Sequence, residues 1–413
     1  MRFFVKCAVV GLAGLAAIGS AEAAGAAGER RPLAPPAFQD EVFAAWLTGF
    51  RQKAMQAGIS PRIFDQALRG ASPDPKVIEA NLNQPEFTRA VWEYLDSALS
   101  DTRVADGKEK LRSYARTLKG LEKKYGVDRH VIVAIWGLES GYGRFKGTHN
   151  VPRALATLAY DGRRQDFGNQ QLLAALKILQ RGDIPVAEMT GSWAGAMGHT
   201  QFIPTTYNAY AVDADGDGRR DIWNSVADAL GSTAHYLSAS GWQSGRRWGL
   251  EITLPDGFDY ALADPSVRKP LATWKELGVK PAKGSNFDWQ ADAASLVLPA
   301  GHEGPAFLVG QNFRAILRYN NSTSYALAVS LLSERFQDKG TIAADWPRAQ
   351  RPLARAEREE LQRLLTAKGY DTQGVDGILG ANTRDALRAW QRAKGLPADG
   401  HPTADILAAL RGA

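Results

Sequence analysis

Glu139 sits where a side chain can hold a proton near neutral pH. Asp128 reads as the N-cap of a helix over Arg129 to Glu139. Ile132, Ile135, Trp136 and Glu139 fall at i, i+3, i+4 and i+7, on one face of that helix. Glu139 thus lies on the apolar side at the helix end, before the loop Ser140-Gly141-Tyr142-Gly143-Arg144. Desolvation there raises a carboxyl's pKa, as a general acid cleaving a glycosidic bond requires. Spacing alone leaves two other readings open: an ion pair with Arg144, or a cap on neighbouring backbone.

The stretch Gly191-Ser192-Trp193-Ala194-Gly195-Ala196-Met197-Gly198-His199-Thr200-Gln201-Phe202-Ile203-Pro204 mixes small residues with aromatics. It suits a groove floor, where backbone approaches ligand closely. Ser192 and Gln201 would then hydrogen-bond sugar hydroxyls or acetamides, and Trp193 and Phe202 would stack on sugar faces. A tight helix–helix contact uses the same small residues. Arg318-Tyr319-Asn320-Asn321-Ser322-Thr323-Ser324-Tyr325-Ala326 is either a further lining segment or a helix-capping turn.

Asp213, Asp215, Asp217 and Asp221 occupy positions 1, 3, 5 and 9 of a twelve-residue loop, with Gly218 at position 6. Oxygen donors at these offsets suit a structural Ca²⁺. Asn224 stands where the bidentate Glu belongs, and Asp228 is a substitute within reach along the chain. The plainer reading is a solvated Asp/Gly turn held by Arg219 and Arg220, binding Na⁺ or nothing. With six scattered histidines, zinc is not expected.

These residues need a scaffold, and 413 residues suffice for two or three domains. Hydrophobic residues at 45% and charged residues at 23% exclude fibrous and wholly disordered classes. The net charge is 50 − 44 = +6, spread without clusters, so nucleic acid is not an expected partner. Met1 to Ala23 has a basic start, an apolar run and the small-x-small site Ala21-Glu22-Ala23, the pattern of a cleaved signal peptide. Cleavage removes the one cysteine, Cys7, so disulfides, thiol catalysis and Cys-ligated zinc are excluded. No membrane anchor is expected afterwards; the plainer reading is an uncleaved N-terminal anchor.

Residues 24–37 read as a disordered leader. From Phe38 to about Tyr236 the apolar spacing is helical, as in Leu111-Tyr114-Ala115-Leu118. Glu251 to Leu254 and Ser295 to Leu298 read as strands of a small β-containing insert over about 243–310. Helical spacing resumes at Phe313, 338–355 reads as a linker, and 356–411 reads as three short helices joined by turns. The fold class is therefore mainly α.

Three segments together carry a resemblance: Trp136 to Gly143, Gly195-Ala196-Met197-Gly198-x-x-Gln201-Phe202-x-Pro204, and Arg318-Tyr319-Asn320-x-Ser322-x-x-Tyr325-Ala326. In this order the chain resembles the lytic murein transglycosylase B family over about 38–337. The resemblance implies a lysozyme-like helical catalytic domain that cuts peptidoglycan glycan strands in the periplasm. It makes Glu139 the sole general acid/base, with 1,6-anhydro-N-acetylmuramic ends as product and no cofactor in the chemistry. It places Ser192, Met197, Gln201, Phe202, Tyr319, Asn320 and Tyr325 along the sugar subsites, and agrees with calcium in the aspartate loop. Residues 356–411, with Val375-Asp376-Gly377, Trp390-Gln391 and Asp399-Gly400, resemble a type 1 peptidoglycan-binding domain, a three-helix bundle. A structural cap is its plainer role. A hydrolysing muramidase and a non-catalytic wall binder are the alternatives for the whole chain.

Overall fold

The computed structural model describes residues 40–82, 89–283, 286–287, 289 and 292–412. The expected signal peptide and leader lie outside the described residues. Helices α1 (Asp40–Gln56), α2 (Pro61–Leu68), α3 (Pro75–Leu82), α4 (Val91–Ala98), α5 (Asp101–Ser113) and α6 (Ala115–Tyr125) lead to α7 (Arg129–Ser140), which carries Glu139. Strand β1 (His149–Asn150), α8 (Val151–Tyr160), α9 (Gln165–Arg181), β2 (Thr190–Gly191), α10 (Pro204–Tyr210) and α11 (Val226–Ala239) follow. Next come β3 (Gly249–Thr253), α12 (Leu271–Glu276), β4 (Lys280–Pro281), β5 (Ser295–Val297), β6 (Pro299–His302) and β7 (Ala306–Val309). The chain ends in α13 (Gln311–Tyr319), α14 (Thr323–Arg335), α15 (Arg355–Ala367), α16 (Ala381–Ala393) and α17 (Ala404–Gly412). The mainly α architecture with a small β insert is thus the observed one.

Chain packing separates two compact units, one built from 40–82 with 135–236 and the other from 89–134 with 237–412. In the first, α8 is buried almost all round, as a helix in the middle of a core must be. Asn150 Oδ1 caps it by accepting from Arg153 N at 3.0 Å, and Pro152 fits the first turn, where its missing N–H costs nothing. Helices α8 and α9 pack together, and Leu155 and Leu158 of the first and Leu172, Leu176 and Leu179 of the second are all buried. The Thr157 hydroxyl accepts from Asp74 N at 2.9 Å and ties the start of α3 to the same core. Beside them β1 pairs antiparallel with β2, His149 opposite Gly191, which fixes where the small-residue stretch begins.

The second unit contains the insert. Four of its strands form an antiparallel sheet in the order β4-β3-β7-β5, with Leu250 opposite Leu308 and Leu296 opposite Leu308 on the other side. The strand-like runs at Glu251 and Ser295 are β3 and β5. Their apolar side packs on Phe258, Trp274 and Trp289, a small core of the insert's own. Residues 338–355 contain no helix or strand among the first seventeen positions, yet they are held down. Arg348 forks onto Asp96 (2.7 and 2.9 Å), and the Glu251 carboxylate accepts from Ala343 N and Ala344 N.

The three C-terminal helices bury Leu361, Leu365, Leu387, Trp390, Leu407 and Leu410. Both Asp-Gly turns are clamped by a helix glutamine. Gln362 Oε1 accepts from Asp376 N and Gly377 N, while its Nε2 donates to Asp376 Oδ1. Gln391 repeats the device, accepting from Gly400 N and donating to Asp399 Oδ1.

One element departs from the apolar spacing. The run Leu111 to Leu118 crosses a break at Tyr114 (φ −106°, ψ 20°), which ends α5 and starts α6. Periodicity does not register a break of one residue.

Candidate active site

Glu139 lies in the last turn of α7 and is 5% exposed, so its carboxyl is largely withdrawn from water. Asp128 caps the other end as its sequence position requires, Oδ1 accepting from His130 N at 2.7 Å. Trp136, one turn before Glu139, is fully buried and donates its indole N–H to His199 Nδ1 at 3.0 Å. The next residue, Ser140, donates to the His199 carbonyl at 2.6 Å and accepts from Gly143 N at 2.9 Å. His199 N in turn donates to the Ile222 carbonyl at 3.0 Å. The turn holding Glu139 is therefore fastened on both sides to one residue of the small-residue stretch.

The loop after Glu139 turns through three successive residues with positive φ: Gly141 (57°), Tyr142 (62°) and Gly143 (88°). Tyr142 pays backbone strain at this angle, typical of residues held at functional sites. Its ring packs edge-on against Trp136 at 5.7 Å, over Gly137, where a Cβ would come within 2.7 Å of the ring. Gly143 leaves the space that the His199 imidazole fills; a Cβ there would be 2.3 Å from His199 Cε1.

Burial, and then the positive charge of Lys146, pull the His199 pKa down to about 4, against a raising effect of Asp221. The ring is neutral at physiological pH. Its Nδ1 accepts the indole proton, so the ring proton is on Nε2. His199 stands at an unassigned position of the glycine motif, and sequence reading gave it no role. Its one signal was an aromatic, proton-carrying residue among small ones.

The other expected residues divide. Ser192 is half-buried and closes its own turn, with N donating to the Ala196 carbonyl and Oγ accepting from Ala196 N. Gln201 (φ 53°) is half-buried, and its Nε2 donates to the carbonyls of Gly198 (2.8 Å) and Lys146 (3.2 Å). Trp193 is covered by the Arg164 guanidinium at 5.5 Å from the ring. Met197 and Phe202 are fully buried, and Phe202 lies 5.9 Å from the Tyr236 ring. Phe202 thus presents no open face for stacking, contrary to the expectation; Met197 and Phe202 exchange backbone hydrogen bonds and form a floor beneath the surface. Tyr319, Asn320 and Tyr325 belong to the second unit. Asn320 ends α13, and Ser322 caps α14 by accepting from Tyr325 N at 3.3 Å, which buries the Tyr325 ring.

In the aspartate loop, carboxylate oxygens of Asp213, Asp215, Asp217 and Asp228 lie within 4.8 Å of one another. Asp228, on α11, is fully buried, and its carboxylate accepts from Ala214 N, Asp215 N and Asp221 N. Burial first, and the charge of Asp215 further, raise its pKa. Asp213 accepts from Gly216 N and Gly218 N, which hold its carboxyl below the ordinary range. Asp221 is the exception among the four expected ligands. Its Oδ1 accepts from Trp223 N and Asn224 N and caps the following turn, so Asp228 takes its place in the cluster. Arg219 pairs with Asp217 at 3.1 Å, but Arg220 turns away to Asp183 at 2.8 Å. Four oxygen-donor carboxylates converging on one point fit a hard divalent cation.

A lysozyme-like helical domain with an enclosed glutamate, joined to a three-helix module, is the class that fold and site define. The chain matches the transglycosylase SLT domain family over residues 42–334 and a putative peptidoglycan binding domain over residues 354–410. It is 30% identical over 295 residues to membrane-bound lytic murein transglycosylase B of Escherichia coli K12, covering 69% of this chain and 78% of that protein. SltB3 from Pseudomonas aeruginosa, solved in complex with NAG-anhNAM-pentapeptide, is 56% identical with a TM-score of 0.87, over 89% of this chain and 99% of its own. The same relative has been solved with NAG-NAM-pentapeptide. The Escherichia coli lytic transglycosylase Slt35, solved in complex with calcium, is 29% identical with a TM-score of 0.60, over 71% of this chain and 93% of its own. The chain belongs to the SLT transglycosylase family. Among its described residues no helix is long and apolar enough to cross a membrane.

Proposed function

We propose that the protein is a lytic transglycosylase that cleaves the β-1,4 bond between N-acetylmuramic acid and N-acetylglucosamine in peptidoglycan. The observation that carries this reading is the enclosed carboxyl of Glu139 on a clamped helix end, in a chain of this family. Glu139 protonates the bridging oxygen as the C1–O bond breaks. Left as a carboxylate, it takes the proton of the muramic C6 hydroxyl, whose oxygen bonds to C1 and closes the 1,6-anhydro ring. One residue serves both steps because the second reverses the proton demand of the first. The 2-acetamido group stabilises the cationic carbon, so a second carboxylate is unnecessary. The neutral His199 acts through position, holding the Glu139 turn by way of Trp136 and Ser140.

Ser192 and Gln201 are assigned to glycan contacts at the surface, and Met197 and Phe202 to the packing beneath them. Tyr319, Asn320 and Tyr325 are assigned to glycan contacts by the family resemblance. The domain reading is a signal peptide over 1–23, a leader over 24–37, a catalytic domain over 38–337, a linker over 338–355 and a peptidoglycan-binding module over 356–411, working in the periplasm. The module keeps the catalytic domain at high effective concentration on its polymer. Calcium, when bound, would be held by Asp213, Asp215, Asp217 and Asp228, where its charge neutralises four crowded carboxylates and fixes the loop ahead of α11. Its role is structural.

The test is mass spectrometry of products from purified peptidoglycan. Anhydro products, about 18 Da lighter than their hydrolytic counterparts, are expected from wild type. Glu139→Gln is expected to lose at least about 10²-fold in rate with its circular dichroism unchanged. Reducing-end products of full mass would replace this reading with a hydrolysing muramidase.

A further inference from the structure

In the first unit, residues 221–223 leave the aspartate loop and run against the turns of the active site. Asp221 is 7% exposed, Trp223 2% and Ile222 not at all. The Ile222 carbonyl accepts from His199 N at 3.0 Å, and a Cβ on Gly198 would stand 2.4 Å from the same oxygen. The Trp223 carbonyl accepts from Lys146 Nζ at 2.6 Å, and the Trp223 indole N–H donates to the Thr190 carbonyl of β2 at 2.9 Å. Lys146 belongs to the loop after Glu139, and its own carbonyl accepts from Gln201 Nε2 at 3.2 Å. Two consecutive residues, Ile222 and Trp223, thus hold the glycine motif, the loop behind Glu139 and the strand that leads into the motif.

On its other side the segment hangs on one carboxylate of the aspartate cluster. Asp221 N donates to Asp228 Oδ2 at 2.8 Å, while Asp228 Oδ1 accepts from Ala214 N and Asp215 N. The route from that carboxylate to Ser140, the neighbour of Glu139, has three hydrogen bonds: Asp221 N to Asp228, His199 N to the Ile222 carbonyl, and the Ser140 hydroxyl to the His199 carbonyl. Every residue along it is buried, so no link can be exchanged for water without leaving a polar group unpaired. Carboxylates within 4.8 Å of one another repel, and a cation held among them turns that repulsion into attraction. Asp215 and Asp217 are exposed and can turn toward water; Asp228 is enclosed and cannot. The state of the loop therefore bears on the one carboxylate that also holds Asp221.

We infer that residues 221–223 couple the aspartate loop to the reaction: a cation held by the loop fixes Asp228, and through Ile222 and Trp223 it fixes the turns that place Glu139 and Gln201. The inference rests on the reading of Glu139 as the reacting acid and gives the loop a second task, positioning that acid as well as stabilising the fold. Asp228 and Lys146 are positioning residues that grip the segment from opposite sides. Coupling of this kind is reciprocal, so a change on the active-site side must alter how the loop holds its cation.

The test reads the coupling in both directions. The full chain, labelled with nitrogen-15 at its tryptophan indoles, is titrated with calcium, each NMR signal being assigned by its Trp→Phe variant. The indole signals of Trp223 and of Trp136, which is bonded to His199, are expected to move with the midpoint of calcium binding. The Trp390 signal, from the core of the C-terminal module, is expected to stay. In the other direction, isothermal titration compares calcium binding by wild type and Lys146→Met. Loss of a positive charge tightens a cation by electrostatics alone, whereas loss of the grip on Trp223 is expected to weaken it about fivefold. Either measurement decides alone if the variants of the other fail to fold. Anhydro-product formation is followed with calcium and with chelator; kcat is expected to fall about fivefold or more in chelator, with KM little changed. A Trp136 signal unmoved at saturating calcium, equal or tighter calcium binding by folded Lys146→Met, no calcium binding by wild type, or equal rates in calcium and chelator would each overturn the coupling. Absent cleavage even with calcium, while the Trp136 signal moves and Lys146→Met binds calcium more weakly, counts against the proposed reaction and supports the coupling.

Discussion

His199 should make the fold acid-sensitive by a calculable amount. Buried among Trp136, Ser140 and Gly143, it has a pKa near 4, against about 6.5 in an unfolded chain. Between those values the unfolded state binds a proton that the folded state refuses. Stability therefore rises with pH across the window, by about 1.4 kcal/mol per unit where the difference is a full proton. The contribution is intact above pH 6.5 and is lost as pH falls toward 4, totalling about 3 kcal/mol. His199→Gln keeps an acceptor for the Trp136 indole but cannot take up a proton. At pH 7 it is expected to be less stable than wild type by about 1–2 kcal/mol, through poorer packing and hydrogen-bond geometry. Wild type then loses its advantage on acidification, and the two stability curves cross near about pH 5. Urea unfolding followed by circular dichroism at half-unit pH steps reads the difference. Proton NMR reads the imidazole directly, the His199 signal being the one missing in the variant. A stability difference constant from pH 7 to 4, or a His199 midpoint near 6.5, would refute the reasoning.

Gly143→Ala puts a Cβ at φ 88° and 2.3 Å from His199 Cε1, so it is expected to cost about 3 kcal/mol and to lower cleavage by displacing the Glu139 turn. Unchanged thermal stability would show that the loop relaxes freely. Calcium at about one hundred times its dissociation constant should stabilise wild type by about 2.7 kcal/mol relative to chelator, seen by calorimetry. Asp228→Asn should abolish most of that shift while Asp221→Asn should retain it, and an equal loss in both would return Asp221 to the ligand set. Gln391→Leu leaves Gly400 N without its acceptor and Asp399 Oδ1 with His401 N alone, at about 2 kcal/mol. Hydrogen exchange of the module's amides is expected to accelerate accordingly, and unchanged protection would remove the glutamine clamp from the account.

What was legible in the sequence is what depends on near neighbours. Ile132, Ile135, Trp136 and Glu139 share a face because an α-helix repeats every 3.6 residues, so the enclosed carboxyl followed from spacing. Asp376-Gly377 and Asp399-Gly400 announced turns because glycine reaches the left-handed region, where they stand at φ 70° and 71°. What was not legible depends on distant partners. Nothing near His199 in the chain indicates that it meets an indole 63 residues away. The Asp-Gly turns depend on Gln362 and Gln391, helix residues with no marking of their own. Asp228 and Asp221 differ only in where α11 begins: the helix turns Asp228 inward, while Asp221 is spent on Trp223 N and Asn224 N. Phe202 shows the same limit from the other side. An aromatic in a glycine motif suits a sugar face or a core equally, and its 2% exposure assigns it to the core. Its burial has a consequence for the reaction. With Phe202 and Met197 locked beneath Gln201, the strained backbone at φ 53° has a rigid base, and strain persists only where packing over-determines it. The buried Met197 and Phe202 therefore support the backbone on which Gln201, proposed for glycan contact, stands.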